Sequence, residues 1–274
     1  MDISSLFNRT SADSPIKLGA KAVVTGASGG LGQAFCKVLA SRGVEVVGAD
    51  ISHVGENVVS EKLDVTNAKA CFELANDIKP DIWINNAGLL GAGDYDKISD
   101  EVVEAVVKVN LLGVVHGTRA ACSVMVPRGS GAILNVGSLA SWSPTAGLGI
   151  YSATKFGVRG YTHSVASEIA KSGVSISLLC PDGIWTPMLK AVVDDPAAAM
   201  PFSGGKLLDP LEVAKFGIGL VDKSRLTGSL PLVRAVAGRL SGEFPKLIPI
   251  VLGKMKSQGV HMQDKYHAKL EKEN

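Results

Sequence analysis

Apolar residues in this chain fall into short unbroken runs, separated by longer stretches in which they recur every three or four positions. The runs are Lys21–Thr25, Glu45–Asp50, Val59–Asp64, Asp81–Asn85, Ala132–Ser138 and Val174–Cys180, with Ser229–Val233 as a seventh. The helical spacing occupies Leu31–Arg42, Ala68–Ile78, Asp100–Met125, Tyr151–Ser172 and Pro210–Val221. A strand apolar along its whole length is covered on both faces, which is the habit of a parallel sheet. Strands alternating with helices and joined by right-handed crossovers wind into a doubly wound α/β sheet, here of about seven strands with helices on both faces. Ligands of such sheets bind beyond the carboxyl ends of the strands.

The pattern divides the chain into a polar arm at 1–18, one domain at 19–235 and an extension at 236–274. In the extension, Phe244–Gly259 mixes apolar and basic residues, and Pro249 interrupts helical spacing. This segment is expected to pack on a partner subunit or on the protein's own pocket; a membrane surface is the weaker alternative.

Composition adds boundaries. With 274 residues the chain is long enough for one well-buried domain and short for two. Formal net charge is +2, from 28 basic and 26 acidic residues, too balanced for a nucleic-acid surface. Cys36, Cys71, Cys122 and Cys180 form no C-x-x-C pair, so they read as reduced thiols and not as a zinc site. The first residues lack the apolar core of a secretory leader, and no apolar run reaches the ~18 residues of a membrane span. The expectation is a cytoplasmic protein with a small-molecule partner and no metal.

Chemistry collects at the strand ends. The first run leads into Thr25-Gly26-Ala27-Ser28-Gly29-Gly30-Leu31-Gly32. Such a turn lets a diphosphate approach the backbone at a helix N-terminus, but on spacing alone it reads equally as a tight strand–helix connection. Asp50 closes the second run, where a carboxylate can accept from both ribose hydroxyls of an adenosine and repel a 2′-phosphate; alone, it is also an ordinary loop aspartate. Asp64 can meet an adenine edge or cap the next helix. Asn85-Asn86-Ala87-Gly88 is either a turn or a small-residue wall for a cofactor, with amides that tie strand ends together. Tyr151 and Lys155 share a helix face, and Ser138 ends the fifth run. An ammonium beside a phenol favours the phenolate, so the pair can exchange a proton with a substrate oxygen; a surface Tyr/Lys pair would look the same.

The motifs in this order, TGASGGLG at 25–32, NNAG at 85–88, Ser138 and YSATK at 151–155, closely resemble the classical short-chain dehydrogenase/reductases. The resemblance covers roughly residues 19–233 and implies a single-domain Rossmann fold. It implies Tyr151 as acid/base, Lys155 as the residue that lowers its pKa and holds the nicotinamide ribose, and Ser138 as the group that orients the substrate. Asn110, in KVNLLG, matches the helix asparagine whose local kink holds a proton-relay water. The cofactor would lie against Gly26, Ser28, Gly30, Leu31, Gly32, Asp50, Ile51, Asp64, Val65, Asn86, Ala87, Gly88, Pro181, Ile184 and Thr186, besides Tyr151 and Lys155. One stretch departs from the family: Asp182 stands where the motif after the sixth strand has its first glycine.

Asp50 favours NAD over NADP as the expected cofactor. The segment at about 187–210 reads as a substrate lid and is largely apolar, and Trp142, Leu148, Trp185, Met188 and Leu189 lie near the expected pocket with Ser138 and Tyr151. They point to an apolar secondary alcohol or ketone, cyclic, aromatic or steroid-like, or equally to lid or subunit packing. No arginine clamp for a substrate carboxylate can be placed; Lys190 is a candidate that also reads as solvated. The family habit implies a dimer or tetramer. The rival is a catalytically idle NAD-binding regulator on the same fold.

Overall fold

The computed structural model describes residues 14–55, 58–244, 246 and 248–273. Seven parallel strands form one sheet in the order β3-β2-β1-β4-β5-β6-β7. They are β1 (Lys21–Thr25), β2 (Glu45–Asp50), β3 (Val59–Lys62), β4 (Ile82–Asn85), β5 (Gly131–Val136), β6 (Val174–Pro181) and β7 (Thr227–Leu230). The order reverses direction between β1 and β4, and the crevice there is where such sheets bind ligands.

The unbroken apolar runs are explained by alternation between two cores. Ala22 and Val24, Ile82 and Ile84, and Ala132 and Leu134 point to one face, where α1 (Gly30–Ala40) and α7 (Pro210–Asp222) pack. Val23, Trp83 and Ile133 point to the other, under α2 (Ala68–Ile78), α4 (Gly113–Arg128) and α5 (Gly149–Glu168). Fully burying the valine, leucine and isoleucine side chains among them stabilises the fold by about 1.5–3 kcal/mol each. Ile16 is also buried in the first core, and Ser14 donates to Asp222 of α7, so docking begins before β1.

The helix expected over 100–125 is continuous from Asp100 to Arg128 but changes its winding midway. α3 (Asp100–Val107) passes through a π turn at Lys108–Leu112 into α4. By length and composition this helix could cross a membrane, but here it packs against α2 and the sheet.

Two expectations about the C-terminal part need correction. The seventh strand ends at Leu230 instead of Val233, because Pro231 cannot extend the ladder, and α8 (Leu232–Glu243) begins immediately after it. Pro249 does not interrupt a helix: it is the second residue of α9 (Ile248–Glu273), where a missing N–H leaves no intrahelical bond unmade. α9 lies over the lid, which comprises α6 (Pro187–Lys190) and two short 3-10 turns. Tyr266 of α9 packs against Trp185 and Phe202, and its hydroxyl accepts from the Leu207 N–H at 2.9 Å. The Gln263 amide donates to the Val192 and Asp195 carbonyls.

Candidate active site

A cavity of about 1030 Å³ runs along the carboxyl ends of the strands. At one end is the glycine turn. Gly26 has φ +64°, and a β-carbon there would fall 2.6 Å from the Ala87 Cα, so only glycine allows this contact. A β-carbon on Gly32 would fall 2.2 Å from the Gly26 carbonyl oxygen. The N-cap of α1 is Gly29, which has no side chain to cap the helix. The first N–H groups of α1 therefore face the cavity with their positive dipole end uncapped, which suits a diphosphate.

Asp50 is buried at the end of β2, and its carboxylate accepts from the backbone N–H of Ser28 and of Ser52, both at 3.0 Å. It thus fixes the glycine turn while lining the cavity. Asp64 does not cap α2; Asn67 does. Asp64 instead accepts from the backbone and hydroxyl of Thr66 and lines the cavity beside Val65. Across the crevice, the Asn86 amide donates to the Thr25 and Gly26 carbonyls, at 3.0 Å each. Below it, Asn85 accepts from the Trp83 indole and donates to Asn135 and Thr118. These buried amides tie β1, β4 and β5 together beneath the site.

Ser138, Tyr151 and Lys155 line the other end. β5 stops at Val136 and not at Ser138, which caps a short 3-10 turn and accepts from Ala140. Lys155 is buried, donates to the Val136 carbonyl at 2.8 Å, and has its Nζ 5.5 Å from the Tyr151 ring centroid. Burial pushes the Tyr151 phenol up to about 12, against a hydrogen bond with Ser138, and pulls Lys155 down to about 8. The phenol therefore stands above its ordinary value and not below it as expected, because desolvation is the largest cause. Asn110 is fully buried behind this group, in the π turn; it accepts from the Leu89 N–H at 2.7 Å and donates to the Leu89 carbonyl at 2.8 Å.

Every residue expected against the cofactor, from Gly26 to Thr186, lines this one cavity. On the substrate side the outcome divides. Leu148, Met188 and Leu189 line it, but Trp142 and Trp185 do not. Trp142 is held between the Arg159 and Arg239 guanidinium groups, 4.4 and 4.2 Å from its ring. Trp185 lies against Tyr266, with Lys190 over its ring. Sequence reasoning missed Leu90, Met200, Pro201, Met255 and Arg234 in the lining. Arg234 pairs with Asp182, the residue that departs from the family motif and the one signal that could have suggested a cationic partner (Nε–Oδ2 2.5 Å).

The comparisons agree with this geometry. A family model described as short chain dehydrogenase matches residues 20–197. A 3-oxoacyl-acyl-carrier-protein reductase of Vibrio harveyi is 34% identical over 209 residues, covering 70% of this chain and 86% of the relative. The same-named enzyme of Escherichia coli is 28% identical over 236 residues, covering 81% and 90%. A short-chain dehydrogenase/reductase from Burkholderia phymatum in complex with NAD superposes with TM-score 0.76 at 26% identity, covering 84% of this chain and 95% of that one. A putative 2-deoxy-D-gluconate 3-dehydrogenase from Agrobacterium tumefaciens with bound NADP superposes with TM-score 0.71 at 27% identity, covering 83% and 99%. With a seven-stranded Rossmann sheet, a nucleotide-binding glycine turn and the family's model over most of the domain, the chain is an oxidoreductase that belongs to the short-chain dehydrogenase/reductase family.

Proposed function

We propose that the protein interconverts an apolar secondary alcohol and its ketone with NAD as cofactor and Tyr151 as the acid/base. The observation that carries the reading is one cavity bearing the glycine turn and Asp50 at one end and Ser138, Tyr151 and Lys155 at the other. The cofactor, when bound, supplies or accepts the hydride. The chain's residues do the rest. The Tyr151 phenol, neutral at pH 7, is in the form that donates a proton to a ketone oxygen, while Ser138 hydrogen-bonds that oxygen. In the oxidising direction Tyr151 must first lose its proton, and the charged Lys155 favours the phenolate. The π turn at Asn110 departs from the regular helix bonding and suits a water relay behind Lys155.

Asp50 supports NAD. Its carboxylate already accepts from two backbone N–H groups, which holds it in place, and a 2′-phosphate beside it would be repelled. The substrate class rests on the apolar lining by Leu90, Leu148, Leu189 and Met200. A second reading, a 3-oxoacyl chain, is favoured by the name of the Vibrio relative. A panel of cyclic, aryl and 3-oxoacyl substrates followed by NADH absorbance separates the two by relative kcat/KM. Tighter binding of NADP than of NAD would overturn the cofactor assignment. Cofactor binding without turnover of any alcohol or ketone would favour the idle regulator.

A further inference from the structure

The lid residues that line the cavity, Pro187, Met188, Leu189, Met200 and Pro201, are apolar, and a charged pair stands beside them. There the first turn of α8 brings Arg234 against Asp182, which directly follows β6. Arg234 Nη2 also donates to the Ser203 hydroxyl at 3.0 Å, and that buried hydroxyl donates to the Met200 carbonyl at 2.7 Å. The lid backbone closes over the pair: a β-carbon on Gly204 would fall 3.0 Å from Asp182 Oδ2 and 3.4 Å from Arg234 Cζ. The guanidinium is thus fixed from three sides, by a strand end, a lid turn and its own helix. Among the described residues its hydrogen bonds run through Nη2, which leaves Nη1 unengaged, and Arg234 lines the cavity together with Met200, Pro201 and Ala237.

We infer that Arg234 is a specificity residue, whose Nη1 donates to a second, uncharged oxygen of the substrate, remote from the one that reacts. The charge of the site selects the class. Asp182 lies directly against the guanidinium and compensates its charge, so the pair is a poor anion trap. A fixed donor in an apolar wall instead rewards a carbonyl or hydroxyl oxygen, and leaves an unmet polar group against a substrate that lacks one. Arg234 does not touch the reacting atoms; it sets which ketones are held across the cavity.

The inference rests on the ketone–alcohol reading above. Its test uses ketones matched to diketones of the same skeleton, cyclohexanone against cyclohexanedione and androstanone against androstanedione. The wild type is compared with Arg234→Met and with Asp182→Ala/Arg234→Met, which removes the pair as a unit and so avoids stranding a buried carboxylate. The quantity read is the diketone-to-monoketone ratio of kcat/KM, together with the same ratio of Kd from calorimetry at saturating NAD. In at least one matched pair both ratios should fall in both variants, on the order of 10-fold to 100-fold. Ratios unchanged in both skeletons, whether or not absolute rates drop, would overturn the inference and leave Arg234 a tie between α8 and the lid. Should no ketone react even with the wild type, the proposed activity fails, and the Kd ratios still decide the role of Arg234.

Discussion

The two ends of the cavity are built by different means. The cofactor end is made of backbone: a glycine turn, an uncapped helix start, and the Asn86 amide and Asp50 carboxylate clasping neighbouring main chain. Its parts follow strand ends directly, within β1, β2 and β4. The substrate end is assembled from segments far apart in sequence: Asp182 meets Arg234 of α8 in the lining, and behind it α9 holds the lid through Tyr266 on Leu207 and Gln263 on Val192. Under the proposed function, one end would fix a ligand common to many chemistries, while the other has the freedom to suit one substrate.

The comparison can be broken most decisively at the reacting group. Tyr151→Phe removes only a hydroxyl, and turnover should fall by roughly 10²–10⁴-fold while NAD affinity holds. Retained turnover would mean that acid/base work is done elsewhere. Asp50→Ala tests whether the two ends act separately. NAD affinity, read by fluorescence titration, should fall on the order of 10-fold to 100-fold with NADP much less affected, and the order of substrate preference should not change. Tyr266→Phe is the converse. Losing the hydroxyl that accepts from Leu207 loosens the lid, so KM should rise several-fold, consistent with about 1 kcal/mol for one hydrogen bond, at constant NAD affinity.

The smallest effect concerns the buried lysine. Lys155→Met should change thermal stability in a pH-dependent way. The folded lysine titrates near 8 against 10.5 for a free one. Burying its charge therefore destabilises the wild type fully below pH 8, and this penalty fades as pH rises to 10.5, where both states are neutral. The variant's gain in Tm relative to wild type should shrink across that window, by on the order of a few °C, in scans at pH 7 and pH 10. A constant gap would mean that Lys155 is not desolvated in the folded protein.

The same contrast explains what the sequence could reveal. Strand and helix identities were legible because each strand feeds two cores and each helix one, so periodicity carries the answer; Lys21–Thr25, Glu45–Asp50 and Ala68–Ile78 fall where the pattern places them. The cofactor candidates lie together because glycine turns and strand ends are local features. α8 was missed because its pattern is inverted: Leu232, Val233, Val236 and Leu240 face outward, and its inner face carries Ala235, Gly238 and Ser241. Trp142 and Trp185 were placed in the pocket by proximity along the chain, whereas each ring is held by cations or by α9 from distant segments. The Asp182–Arg234 pair spans 52 positions, and no local pattern announces it.

The close fit of α9 on the lid bears on how such a protein can diversify. Gly259 sits so near Ala199 that any β-carbon there would collide with its carbonyl oxygen, 2.1 Å away. The shape of the lid is thus partly written in α9, outside the Rossmann sheet. Replacing that helix would amount to changing the lock while keeping the door, a route to new substrates that leaves the glycine turn and Asp50 in place.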